Sequence, residues 1–273
     1  IIILVKRAIE SAALITENKT LKKIADPKTP LIGESSFIKE LNKKIAKISQ
    51  SNSRVFISGP IGSGKKLIAK TIHKLSSGSS TIANIIDFKN LNKNDLEDIF
   101  LEDNQNIYEN IFFQSNNGTL IFDNIETLPV NYQKKLLNIL ENEKNPINNN
   151  INFNLKIISI SSKNIDLEIQ NGNFIKSLYE RLNVISIKVP PISDRKSDII
   201  PICNHYLNSF NVNKKYKFTL SEISINKLEM YEWPGNIRQI INYIEKTIIL
   251  NQDLNLNCDI ELSDLPSDMG EKK

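Results

Sequence analysis

Arg54-Val55-Phe56-Ile57-Ser58-Gly59-Pro60-Ile61-Gly62-Ser63-Gly64-Lys65-Lys66-Leu67-Ile68 decides how this chain folds. The apolar run Arg54 to Ser58 predicts a short strand, Gly59 to Gly64 a glycine-rich turn, and Lys65 to Leu75 a helix. The glycines and Lys65 have the spacing of a Walker A loop, placed between strand and helix as that motif requires. The chemistry follows from the residue types. Glycines let backbone N–H groups turn inward around phosphates, the helix N-terminus adds partial positive charge, and Lys65 reaches the β and γ phosphates. A glycine-rich turn capping an ordinary helix has the same spacing, so a second element has to arbitrate. Thr119-Leu120-Ile121-Phe122-Asp123 supplies it, an apolar strand ending in an acid at the Walker B position, where the carboxylate holds Mg²⁺.

Outward from these two stretches, further apolar runs of strand length lie at Thr81 to Phe88, Leu155 to Ser161 and Val184 to Val189. Helical patterns separate them, including Ser36 to Ser49 and Asn131 to Glu141. Strands alternating with helices predict an α/β core with a mostly parallel sheet covered on both faces. After Pro190 and Pro191 the pattern is helical only. A helix is expected over Asp194 to Phe210, another over Glu222 to Tyr231 with Ser221 as its N-cap, and a third carries Ile237, Ile240, Ile241, Ile244 and Ile248. The expected organisation is a linker helix at 1–26, an α/β nucleotide-binding core at 31–191, a small all-helical lid at 192–255, and a further linker at 256–273. Asn-rich stretches at Asn145 to Asn154 and Asn211 to Lys217 read as surface loops, and the tail from Ser263 to Lys273 as a flexible linker.

Composition narrows the function classes. The chain has 273 residues, 40% of them hydrophobic and 24% charged. That is an ordinary globular composition, and no apolar stretch approaches the length of a membrane span. A net charge of +4 comes from lysines scattered along the chain, which is not a nucleic-acid footprint. Cys203 and Cys258 are isolated, so neither a disulfide framework nor a zinc site is expected and a reducing cytoplasm fits best. His73 and His205 stand alone in helical stretches and receive no chemistry.

Two residues run against vigorous hydrolysis. Lys66 stands where P-loop proteins place a Ser or Thr whose hydroxyl contacts Mg²⁺, so metal binding would lean on Asp123 and water. Asn124 follows the Walker B acid, where AAA+ ATPases have a Glu that polarises the attacking water. An amide orients water without taking its proton.

These residues, taken in order, resemble the central AAA+ domain of bacterial enhancer-binding proteins that act with sigma-54 RNA polymerase, and within that family NtrX-type response regulators. The resemblance rests on Leu31-Ile32-Gly33-Glu34-Ser35, Gly59 to Lys65, Gly118 to Asp123, Leu178-Tyr179-Glu180-Arg181-Leu182-Asn183-Val184, Pro190-Pro191-Ile192-Ser193-Asp194-Arg195 and Trp233-Pro234-Gly235-Asn236-Ile237-Arg238. It implies ATP and Mg²⁺ as ligands. Ile32 and Gly33 would line the adenine pocket, Gly59, Gly62, Ser63, Gly64, Lys65 and Lys66 would cradle the phosphates, and Asp123 would hold the metal. Arg238 falls at the sensor II position and Arg181 at an arginine-finger position that reaches a neighbouring subunit's nucleotide. Read from the residues alone, Arg181 is a surface ion pair and Arg238 a salt bridge to Glu245 or Glu232.

The departures from the family pattern are concentrated at the chemistry. Ile175 occupies the first arginine-finger position, Ser162 the sensor I position, Asp87 replaces an Asn linked to the Walker B Glu, and that Glu is Asn124. The stretch Leu101 to Asn117 is too short for the GAFTGA segment that touches sigma-54, which NtrX-type proteins also lack. The resemblance therefore implies a nucleotide-binding module of a two-component regulator with weak or no hydrolysis; the alternative is an active ATPase driving sigma-54-dependent transcription. Implied partners are further copies of the chain, RNA polymerase, a sensor kinase acting through an upstream receiver, and DNA through a domain outside this chain. No membrane partner is expected.

Overall fold

The computed structural model describes residues 31–77, 83–100, 111–142, 154–211, 219–250 and 259–260. The chain divides into two units, Ile1–Pro30 and Leu31–Lys273, and every described residue belongs to the second. The helical pattern at 1–24, most of Leu101 to Asn117, nearly all of both Asn-rich stretches and the tail 263–273 lie outside the described residues.

Five strands form one parallel sheet: β1 (Val55–Ser58), β2 (Ala83–Asp87), β3 (Thr119–Asp123), β4 (Lys156–Ser161) and β5 (Ile185–Lys188), in spatial order β2-β3-β4-β1-β5. Pairing runs in register from Val55 opposite Ile158 and Ile185, and from Ala83 opposite Thr119. All five strands therefore end at one edge, where the phosphate loop leaves β1 and Asp123 ends β3. Ligands of open α/β sheets bind at that edge.

Alternation along each strand feeds two cores. Phe56, Leu120, Phe122 and Ile157 point to one face, packing with Leu136 and Leu140 of α5 (Val130–Asn142) and with Leu178 and Leu182 of α7 (Lys176–Leu182). Val55, Ile57, Ile121, Ile158 and Ile160 point to the other, under α1 (Ser36–Ile48) and α2 (Lys65–Ser77). Both faces are apolar because both are covered, which is why the strands read as continuous hydrophobic runs rather than alternating ones. The short helices α3 (Lys93–Phe100), α4 (Ile111–Gln114) and α6 (Ile165–Gln170) complete the layers.

The lid has its own core, built on Ile199, Ile202, Cys203, Leu228, Trp233, Ile240, Ile244 and Ile248. Its helices are α8 (Ile199–Asn211), α9 (Glu222–Met230) and α10 (Asn236–Leu250), and the Ser221 hydroxyl caps α9 by accepting from Ser224 N–H at 3.2 Å. Two differences from the expected pattern appear here. The helix expected from Asp194 starts at Ile199, with a 3₁₀ segment over Ile192–Asp198 kinked at Arg195. Pro201 explains the boundary, since its ring would clash with the carbonyl of Ser197 if the α-helix extended upstream. The second is a two-stranded parallel ladder joining β6 (Thr219–Leu220) to β7 (Asp259–Ile260), the latter inside the stretch expected to be linker.

Candidate functional site

The phosphate loop is held from below by β1 and from above by the lid. Gly62 has φ +78°, and a Cβ there would sit 2.3 Å from the Gly235 carbonyl, so only glycine permits this approach. The Gly62 carbonyl accepts from Arg238 N–H at 3.3 Å. Asn236, itself at φ +55°, clamps the two parts together: its Nδ2 donates to Ile61 O at 3.0 Å while its Oδ1 accepts from Ile192 N–H at 2.9 Å. The Trp233-Pro234-Gly235-Asn236 sequence is thus a turn shaped to seat the lid on the loop.

Lys65 begins α2 and folds its ammonium onto Gly59 O at 2.7 Å and Pro60 O at 2.8 Å. Burial pushes this lysine down to about 8, against the pull of Glu126 and then Asp123, with Arg238 adding to the lowering. Arg238 therefore lies within electrostatic reach of Lys65, and among the described residues it makes no ion pair with Glu245 or Glu232. Ser63 is buried with its hydroxyl unpartnered. Backbone N–H groups at a helix start, an ammonium with a third donor, a second cation on the lid and an orphaned hydroxyl fit a chain of phosphates.

Ile32 packs against the lid core, and Gly33 passes so close to Asp198 that a Cβ would lie 2.4 Å from its Oδ1. Asp198 is fully buried and accepts from Ser35 N–H at 2.8 Å and Ser35 Oγ–H at 2.7 Å. Arg195, also buried, approaches Asp198 at 3.7 Å, donates to Ser63 O at 2.7 Å, and stacks over Phe37 at 5.4 Å. The same Ser35 hydroxyl caps α1, accepting from Ile38 N–H at 3.2 Å.

The Walker B side is a closed network. Asp123 Oδ1 accepts from Asn124 N–H at 3.1 Å, and Oδ2 pairs with Lys66 Nζ at 3.0 Å. Asn124, in left-handed backbone at φ 55°, donates from Nδ2 to Asp87 Oδ1 at 2.7 Å. Both oxygens of the acid expected to hold Mg²⁺ are engaged, one of them by a cation. The residues that fit phosphates do not fit a divalent ion beside them.

Arg181 lies away from this edge. Its Nε and Nη2 donate to Leu140 O at 3.3 and 3.1 Å, and its own carbonyl accepts from Arg54, the residue before β1, at 3.5 Å. It sits at the opposite end of the strands from its own phosphate loop, so a finger role requires a neighbouring subunit. Ile175 packs partly buried on the core, its N–H donating to Gln133 Oε1 at 2.8 Å. Ser162 donates its backbone N–H to Glu126 Oε1 at 3.0 Å.

The family model described as "Sigma-54 interaction domain" matches residues 32–192, and that of the "AAA+ ATPase lid domain" matches 193–273. The chain belongs to the sigma-54 interaction domain family. An NtrX-like response regulator of Rickettsia typhi is 38% identical over 261 residues, covering 92% of this chain and 54% of that protein. The crystal structure of NtrX from Brucella abortus with ADP superposes with a TM-score of 0.81 at 24% identity, covering 99% of this chain and 63% of that one. The ATP complex of the same protein gives a TM-score of 0.80 at 24% identity, covering 97% and 62%. The chain spans about half the length of the relatives it matches. Among the described residues no helix is long and apolar enough to cross a membrane.

Within this sigma-54 interaction domain the structure adds residues that sequence reading passed over. Asp198 becomes site-shaping only once the lid is seated, as does Asn236, which the sequence showed only as part of a motif. Glu126 is buried, its Oε2 unpartnered, between Ser162 and the electrostatic reach of Lys65. Its signal in the sequence was only a second acid just after Asn124.

The depressed Lys65 gives a pH prediction. Phosphates raise its proton affinity, so binding takes up a proton wherever free Lys65 is partly neutral, above about pH 8. Nucleotide affinity is expected to be flat below that value and to fall by up to about tenfold per pH unit above it. Calorimetric titrations in buffers of different ionisation enthalpy measure the proton directly; affinity that holds level through about pH 9 would contradict it.

Proposed function

We propose that this chain is the ATP-binding module of an NtrX-type two-component transcriptional regulator, in which nucleotide sets conformation or self-association and hydrolysis is weak or absent. One observation carries the reading: the phosphate loop is intact and capped by the lid, while the side chain at the water-polarising position is an amide held on Asp87 at 2.7 Å. The site can therefore bind phosphates and close over them without a base at that position. Brucella abortus NtrX, whose fold this chain shares, has been solved with ADP and with ATP. Lid closure over the loop couples nucleotide to the relative placement of core and lid, a route from ligand to assembly. On this proposal, contacts with RNA polymerase, a sensor kinase and DNA fall to segments that the longer relatives have beyond the stretch this chain matches.

Active hydrolysis in support of sigma-54-dependent initiation is the competing reading, and Glu126 favours it as a second carboxylate near Lys65. Calorimetry with ATP, phosphate release and light scattering on the purified chain separate the two. Tight binding, turnover near background and a nucleotide-dependent change in mass are expected. Ready turnover abolished by Glu126→Gln would replace the proposal with the competing reading.

A further inference from the structure

Lys66 is the first-turn neighbour of Lys65 on α2, and Asp123 ends β3, two strands away from β1 in the sheet. Their side chains meet at 3.0 Å across the C-terminal edge of the sheet. Two consequences follow for the place beside the phosphates where a divalent ion is expected. The Ser or Thr hydroxyl that would be a ligand is replaced by an ammonium, and an ammonium donates hydrogen bonds without offering a lone pair. The acid is also already paired with that ammonium at 3.0 Å, and its other oxygen accepts from Asn124 N–H at 3.1 Å. Magnesium demands a near-octahedral set of oxygens at about 2.0–2.1 Å, and a fixed positive charge in that shell repels it.

We propose that Lys66, pinned on Asp123, takes the place of the divalent cation, so that this site binds a nucleoside diphosphate or triphosphate in its metal-free form. The inference rests on the nucleotide-binding reading above and specifies the form of the ligand. Lys65 at the start of α2 and Arg238 on the lid lie within electrostatic reach of each other; on this proposal Lys66, its sequence neighbour, adds a third cation for one polyanionic chain, and Asp123 becomes the positioning residue for Lys66 instead of a metal ligand. Charge-assisted hydrogen bonds from an ammonium to phosphate are strong enough to substitute for part of a metal's contribution. If the pair were an ordinary surface ion pair, which Lys66 at 48% side-chain exposure would also allow, it would contribute little and leave metal dependence intact.

The test is isothermal titration of the whole chain with ADP and with ATP, in EDTA and in millimolar MgCl₂. The native chain is expected to bind with affinities that differ by less than about threefold between the two conditions. Lys66→Thr is expected to bind about tenfold or more weakly in EDTA and to regain that affinity with Mg²⁺. Lys66→Arg, which keeps the cation, should stay metal-independent, and thermal unfolding of each variant confirms that it folds. Native binding that requires Mg²⁺ overturns this inference alone. A Lys66→Thr variant as metal-independent as the native chain also overturns it, and no binding in either condition overturns the nucleotide-binding reading with it.

Discussion

Replacing Asp198 by alanine is expected to lower the unfolding free energy by roughly 3–5 kcal/mol, the cost of leaving a buried charge without its partner. Asp198 is fully buried and carries three contacts: Ser35 N–H, Ser35 Oγ–H and, at 3.7 Å, the Arg195 guanidinium. Arg195 is buried too, with its Nε unpartnered, and burial already pushes its proton affinity down against the support of Asp198. Without the carboxylate, Arg195 keeps, among the described residues, Ser63 O and Phe37 as compensation. For a unit of this size the loss corresponds to a fall in Tm of roughly 6–15 °C. The control is the pair Arg195→Met with Asp198→Leu, which removes both charges. It is expected to cost less than Asp198→Ala alone, because no buried guanidinium is then left without its partner, while the two Ser35 donors lose their acceptor in both proteins. Urea unfolding of the three proteins decides it, and an Asp198→Ala protein within about 1 kcal/mol of native would show that the guanidinium is not held by this carboxylate. Nucleotide affinity should fall as well. Asp198 fixes Ser35, and so the Leu31 to Ser35 segment on which Ile32 meets the lid.

The strands and the phosphate loop were legible because local sequence dictates them. Val55 to Ser58, Thr119 to Asp123 and Lys156 to Ser161 are apolar runs ended by glycine, acid or polar residues, and each is a strand within a residue of its expected bounds. What was not legible depends on which side chains meet across elements. Lys66 and Asn124 were each visible as departures from a motif. Nothing in their spacing says that one pairs with Asp123 and the other bonds to Asp87, since the first requires β1 and β3 to flank β4 and the second the parallel register that sets Asp87 opposite Asp123. Arg181 could be placed at an arginine-finger position only by resemblance. Its contact with Leu140 O depends on the end of α5 meeting the end of α7, which no local pattern encodes. The early start expected for α8 failed for a local reason that was readable, the proline at 201. The β6 to β7 ladder, at two residues per strand, falls below any periodic signal.

Exchanging the Asp87 and Asn124 side-chain types is expected to behave unlike changing either alone. The family resemblance implies a Glu after the Walker B acid and an Asn at position 87; here the amide is at 124 and the carboxylate at 87, joined by a hydrogen bond of 2.7 Å from Asn124 Nδ2 to Asp87 Oδ1. Asn124→Glu by itself therefore sets a carboxylate against Asp87, which already accepts from Lys89 N–H at 3.2 Å and Asn90 Nδ2 at 2.9 Å. Two carboxylates at that separation do not both ionise easily, so the new acid is held partly protonated and is a poor base. Left-handed backbone at position 124 adds roughly 1 kcal/mol of strain for a Glu that an Asn largely avoids. The single variant should be less stable than native, and Asp87→Asn in the same chain should recover most of that loss, a coupling of about 1–3 kcal/mol. Turnover should follow the same logic. A placed general base contributes about 10²–10⁴-fold, so in the Lys66→Thr background, where a divalent ion has room, the double exchange is expected to raise phosphate release by about 10²-fold. The low end applies because Ile175 stands where the resemblance implies a first arginine finger and offers no charge. Asn124→Glu without Asp87→Asn should give far less; equal turnover from the two would mean that the Asp87 hydrogen bond does not govern the residue at 124.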